Sequence, residues 1–182
     1  LRVSMSGGNL VIVDSNGHTI ASGPTDLDGD PANNGAEIAY VDQNLVIDTN
    51  VDVDSIVFGD MTGFTGSITA IGGSEFDEII YKSELTLADG KAVDLSAEEI
   101  KFWPGSSLTT FNGNIVAVAA GGIGSGEQLQ GVHVYGADLE VTGIGSVTLA
   151  GEGGDEPDSN SNIGVHITNE ATITTEDGNI DI

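Results

Sequence analysis

The chain has no cysteine, which excludes a disulfide framework and any thiolate metal site. Positive charge is nearly as scarce. Arg2, Lys82, Lys91 and Lys101 are the whole basic inventory against 29 acidic residues, for a formal net charge of −25. Such a surface repels phosphate backbones and anionic lipid, so neither nucleic acid nor a membrane surface is an expected partner. No run approaches the roughly 20 apolar residues of a membrane span, so no membrane insertion is expected. No secretory signal is seen, and the opening "LRVSMSGG" has no initiator Met. That opening, and a closing "GNIDI" that stops inside a strand pattern, read as the ends of a processed or excised piece. Helical periodicity is missing too: no segment sustains an i, i+3, i+4 pattern over three turns.

What is present is β-forming. The 182 residues suffice for one domain or one elongated repeat array. Hydrophobic residues make up 38% and fall in short alternating runs, which argues for order despite the charge. Gly, Asn, Asp or Ser bound nearly all of them, as in "NLVIVD", "EIAYV", "NLVIDT", "SIVFGD", "GSITAI", "NIVAVAA", "GVHVYG", "DLEVTG", "SVTLAG" and "ATITTEDGNIDI". The segment "DLSAEEIKFW" (94–103) offers a capping box in Ser96 and Glu99. It also divides into the strands "AVDLS" and "EIKFW", the favoured reading, and Pro104 ends it either way.

Repeats set the expected architecture. "GVHVYGADLEVTGIGSVTLAGEGG" starts at Gly131 and "GVHITNEATITTEDGNIDI" at Gly164, an interval of roughly 33 residues. Val132 aligns with Val165, His133 with His166, Val134 with Ile167 and Leu139 with Ile173. Partial copies start at Gly113, Gly145 and Gly178. Three short strands per period describe one coil of a parallel β-helix, in which equivalent side chains stack into ladders. Alternation puts Val132 and Val134 inside and His133 outside. The expected fold class is therefore all-β, a β-solenoid with roughly 33-residue coils in the C-terminal half. Residues 112–182 carry the regular repeats. Residues 1–111 read as degenerate coils or an N-terminal capping region, and one continuous solenoid is the other arrangement.

The run "GVHVYGADLEVTGIGSVTLAGEGG…SNIGVHITNEATITTEDGNIDI" resembles the repeats of large secreted surface proteins of the filamentous-haemagglutinin-like adhesin type. "LRVSMSGGNLVIVDSNGHTIAS" is also similar to segments of such bacterial proteins. The resemblance is clearest over 112–182. It implies a right-handed parallel β-helix, an extracellular or cell-surface location, and a role in adhesion or surface structure. It brings no catalytic residue.

Candidate sites centre on calcium. In "TDLDGDPANNGAEIAY" (25–40), Asp26, Asp28 and Asp30 alternate and Glu37 holds the twelfth position, close to an EF-hand loop. Pro31 stands at the sixth position, where the turn needs positive φ, and the flanks are strand-like, so a sensor loop is excluded. Asp26, Asp28, Asp30 and Asn33 remain candidate ligands for one structural Ca²⁺, against a merely solvated acidic loop. "GGSEFDEII" (72–80) resembles a nonapeptide calcium repeat, making Asp77 a further candidate; Glu75 replaces its third glycine, and an ordinary strand start is the rival reading. Rows of acids at Asp48, Asp52 and Asp54, and at Glu152, Asp155, Glu156 and Asp158, read as water-facing. His133 and His166 read as a surface ladder rather than a shared metal site.

A polyuronate lyase needs basic residues, and none lies in the clear repeats. Hydrolase, zincin and phosphate-loop motifs are absent. The expected function is non-enzymatic: an extracellular fibre subunit or adhesin stalk, self-associating end to end through "GNIDI" and "NLVIVD". A glycan or cell-surface ligand would meet loops near 25–35 and 151–162. The competing expectation is a β-helix that binds or cleaves polysaccharide.

Overall fold

The computed structural model describes residues 1–6, 9–13, 19–23, 37–41, 44–49, 55–73, 77–121, 130–153 and 162–182. Among them every regular element is a β-strand. Three strands form an antiparallel start: β1 (Arg2–Ser6), β2 (Asn9–Val13) and β3 (Thr19–Gly23). A second hairpin joins β4 (Glu37–Val41) to β5 (Asn44–Asp48). Then come β6 (Ser55–Phe58), β7 (Ile68–Ile71), β8 (Glu78–Tyr81), β9 (Glu84–Asp89), β10 (Val93–Ala97), β11 (Glu99–Phe102), β12 (Ser107–Phe111) and β13 (Ile115–Ala119). The later strands are β14 (Gln130–Tyr135), β15 (Asp138–Thr142), β16 (Val147–Gly151), β17 (Ile163–Thr168), β18 (Thr172–Thr175) and β19 (Ile180–Asp181). The segment 94–103 is two strands, β10 and β11, as its alternation suggests.

From β8 onward each strand pairs in parallel with the strand three places later. The chain thus visits three sheets in constant order. An eight-stranded sheet runs β17-β14-β11-β8-β6-β1-β2-β3, a seven-stranded one β19-β16-β13-β10-β7-β5-β4, and a four-stranded one β18-β15-β12-β9. All three sheets pass residue 111 without a break.

Register shows what hid the early repeats. Ile100 pairs with Val132 and Val132 with Val165, each step near the roughly 33 residues read from the glycines. Ile79 pairs with Ile100 after only about two-thirds of that distance. Most of the difference lies at one corner. A single residue joins β10 to β11, whereas long connections join β13 to β14 and β16 to β17. A loop at one corner lengthens the period without disturbing strand pairing, at little entropic cost.

Alternating side chains of all three sheets form one core. Val3, Phe58, Tyr81, Phe102 and Val134 make a buried column in the eight-stranded sheet. The Phe58, Tyr81 and Phe102 rings are spaced 6.2 and 5.7 Å, an aromatic stretch within that column. Each such side chain contributes about 1.5–3 kcal/mol by leaving water. The Tyr81 hydroxyl donates to the Ser107 carbonyl at 3.4 Å, and burial pushes its pKa up.

The ends differ. At the N-terminal end β3 and β4 are the outer strands, and the Thr65 carbonyl accepts from Ala88 beside β9. At the C-terminal end β17, β18 and β19 each have a neighbour on one side only. Ile167 and Ile180 are exposed there, and Val165 and Ile173 are half-buried. "GNIDI" accordingly supplies an edge strand, but "NLVIVD" does not. It forms β2, whose two sides are taken by β1 and β3, because the chain before it folds back as β1. It is an inner strand of its sheet, not an edge.

Candidate functional site on the outer face of the eight-stranded sheet

Strand alternation sends Ile56 and Phe58 inward and Val57 outward. Register then stacks outward residues into a column of Arg2, Val57, Ile80, Lys101, His133 and His166. One place beyond the buried column lie Gly59, Lys82, Trp103 and Tyr135, at the strand ends. Three of the four basic residues therefore share one face, brought together from distant sequence positions.

Lys101 is the best-compensated charge. Its Nζ lies 2.6 Å from Glu78 Oε1 and 2.8 Å from Glu99 Oε2. Burial pulls the Lys101 pKa down, but the two carboxylates outweigh it and hold the ammonium above its ordinary value. Burial pushes the Glu99 carboxyl up, and Lys101 only partly offsets this. The triad is locked by its own contacts.

His133 and His166 stack with centroids 4.9 Å apart and rings 15° from parallel. Tyr135 lies 5.4 Å from His133. Burial lowers the His133 pKa, with further lowering from His166 and Lys101. His133 Nε2 and His166 Nδ1 are buried without a hydrogen-bond partner among the described residues. Face-to-face rings hold their lone pairs side by side, which suits a ladder better than a common metal.

Lys82 is placed differently. Its Nζ sits 4.7 Å over the ring centroid of Trp103, a half-exposed side chain and the single tryptophan of the chain. An exposed contact of this kind contributes about 0.5–1 kcal/mol. Lys82 and Arg2 line one cavity of about 600 Å³, with Val57, Asp60, Ser83 and Glu84 among its other walls. Gly59 has no side chain to fill it; a Cβ there would lie 3.5 Å from Arg2 Nε. Neither Arg2 nor Lys82 forms an ion pair among the described residues.

Of the calcium candidates, Asp26, Asp28, Asp30 and Asn33 lie outside the described residues, as do Asp52, Asp54, Asp155, Glu156 and Asp158. Asp77 is buried just before β8. Its N–H donates to Glu98 Oε2 at 2.7 Å, and its carbonyl accepts from the N–H groups of Glu98 and Glu99, both at 3.2 Å. It packs so closely on Gly72 that a Cβ there would lie 2.8 Å from its own. Asp77 thus ties the start of β8 to the start of β11. Among the described residues no three His, Asp or Glu side chains gather as a metal-holding group.

The sequence marked the histidine pair but missed the pairing of Arg2 with Lys82. No spacing links them. Their one early signal was being half of a four-residue basic inventory. No family model matches the chain, and neither the curated proteins nor the solved structures return a match. The adhesin resemblance therefore rests on the repeat residues and the opening segment alone.

Proposed function

We propose that the three sheets wind as a right-handed parallel β-helix, and that the chain is a non-enzymatic extracellular structural protein, a fibre subunit or adhesin stalk. The observation that supports this is the constant pairing of each strand with the strand three places on, carried to β19. Such coils extend a rod by repetition, each contacting only its neighbours. The edges of β17, β18 and β19 favour head-to-tail self-association, a second copy presenting its β3 and β4 edges. With −25 charges per copy, that contact needs screening by salt or by Ca²⁺. Asp26, Asp28, Asp30 and Asn33 are the residues proposed to hold such a calcium, as cement rather than switch.

Electron micrographs of the purified chain with and without Ca²⁺ test this. Filaments or rods lengthened by calcium are expected; a monodisperse monomer at high concentration under both conditions would count against assembly. A second reading, a β-helix that recognises polysaccharide, draws on the cavity beside Lys82.

A further inference from the structure

We propose that the cavity between Arg2 and Lys82 binds a small saccharide carrying a single carboxylate, a sugar acid of one or two rings. With 29 acidic residues against four basic ones, a solvent-facing cation here has every opportunity to pair. Lys101 does so twice. Among the described residues Arg2 and Lys82 do not, though Asp60 and Glu84 line the same cavity. Two cations that make no direct ion pair among the described residues face one concavity of about 600 Å³, and their N–H groups are free to meet an anion.

The rest of the lining narrows the anion. The protein's field repels polyanions, so a ligand of high charge density is disfavoured even where two cations meet. A single carboxylate escapes most of that repulsion. Val57 offers an apolar wall for the C–H face of a sugar ring. Asp60 and Glu84 are acceptors for sugar hydroxyls, which a phosphate or sulfate ion lacks. Hydrogen bonding to Thr62 holds the Asp60 pKa below the usual carboxylate range, so it is ionised and ready to accept. The volume suits one or two pyranose rings. Gly59 leaves the floor open, and Arg2 is held at the rim because β1 pairs with β6. This inference concerns one coil end and is independent of head-to-tail assembly.

The site carries its own reporter. An ammonium over Trp103 sets the environment of the only indole. A carboxylate that draws Lys82 away changes the emission. Titration of the chain with sodium glucuronate, followed by Trp103 fluorescence and by calorimetry, is expected to saturate. Glucose and sodium acetate are expected to bind at least about tenfold more weakly, since each lacks half of the recognised groups. Arg2→Gln and Lys82→Gln are each expected to weaken glucuronate about tenfold or more, and Lys82→Arg to retain it. Both side chains are exposed, and melting curves establish that the variants fold. No saturation, glucose equal to glucuronate, or wild-type affinity in both Gln variants would overturn the proposal. Acetate or sulfate competing as well as glucuronate would overturn the saccharide assignment. Filaments without glucuronate binding would leave the scaffold reading intact, so the two fail separately.

Discussion

His133 shows how a single position on this scaffold acquires a pH dependence. Its pKa is lowered by burial, then by His166 and Lys101. The facing groups are Lys101 from β11, His166 from β17 and Tyr135 from its own strand; Lys101 in turn holds Glu78 and Glu99. The folded state takes up this proton less readily than the unfolded chain. The stabilisation is therefore complete above the ordinary value of 6.5 and is lost as pH falls toward the depressed one. Glu99 has the opposite sign: its raised pKa gives stability below the ordinary 4.5 that is lost as pH rises through the folded value. Because acid also relieves repulsion among the carboxylates, the informative quantity is a difference between variants. Urea midpoints of wild type and His133→Gln should diverge from pH 8 to pH 5, with wild type losing ground. A constant difference would remove His133 as the source.

At the scale of the element, the corner leading into β7, β10, β13, β16 and β19 does more than turn the chain. Asn44 Oδ1 accepts from the Ser67 N–H at 3.1 Å, and Ser67 Oγ from the Ala92 N–H at 3.1 Å. Asn114 Oδ1 accepts from Ser146 at 2.9 Å, and Ser146 Oγ from Asn179 at 3.1 Å. A polar ladder thus climbs the corner with one rung missing at Ala92. Ala92→Ser is expected to supply it and to raise stability by about 0.5–1.5 kcal/mol in denaturant melts. Beside the ladder stand the repeat glycines. A Cβ on Gly145 would lie 2.2 Å from the Gly113 carbonyl oxygen, and Gly178 meets Gly145 in the same way. Gly145→Ala should cost about 3 kcal/mol or more, since backbone must move. A neutral result would show the corner to be looser than described. The glycines were legible as a period before their reason was. Most strands were legible from alternation between turn residues. "EIIY", "ELTLAD" and "SLTTF" escaped the repeat match although turn residues stand beside the last two, because the connections between their strands differ in length from those downstream. Repeat matching finds equal spacings, while register tolerates unequal ones.

For the whole molecule, the charge is both constraint and filter. With few ion pairs to lose among the described residues, screening should help more than it harms. Raising NaCl from about 0.05 to 0.5 M is expected to lift Tm by about 3 °C or more. A fall would mean that attractive pairs dominate. The cationic face was not legible in the sequence, because only the long-range pairing of β1 with β6 carries Arg2 to Lys82. The unequal ends have a further consequence, for the order of folding. The antiparallel hairpins of β1 to β5 bring together residues close in sequence, whereas every parallel pairing from β8 onward closes a longer loop. The quickest contacts to form are also those nearest the N-terminus. A chain emerging from synthesis can set this seed first and then lay down each new turn on the last. Its direction of growth during folding then runs toward β17, β18 and β19, the strands left with one open side among the described residues.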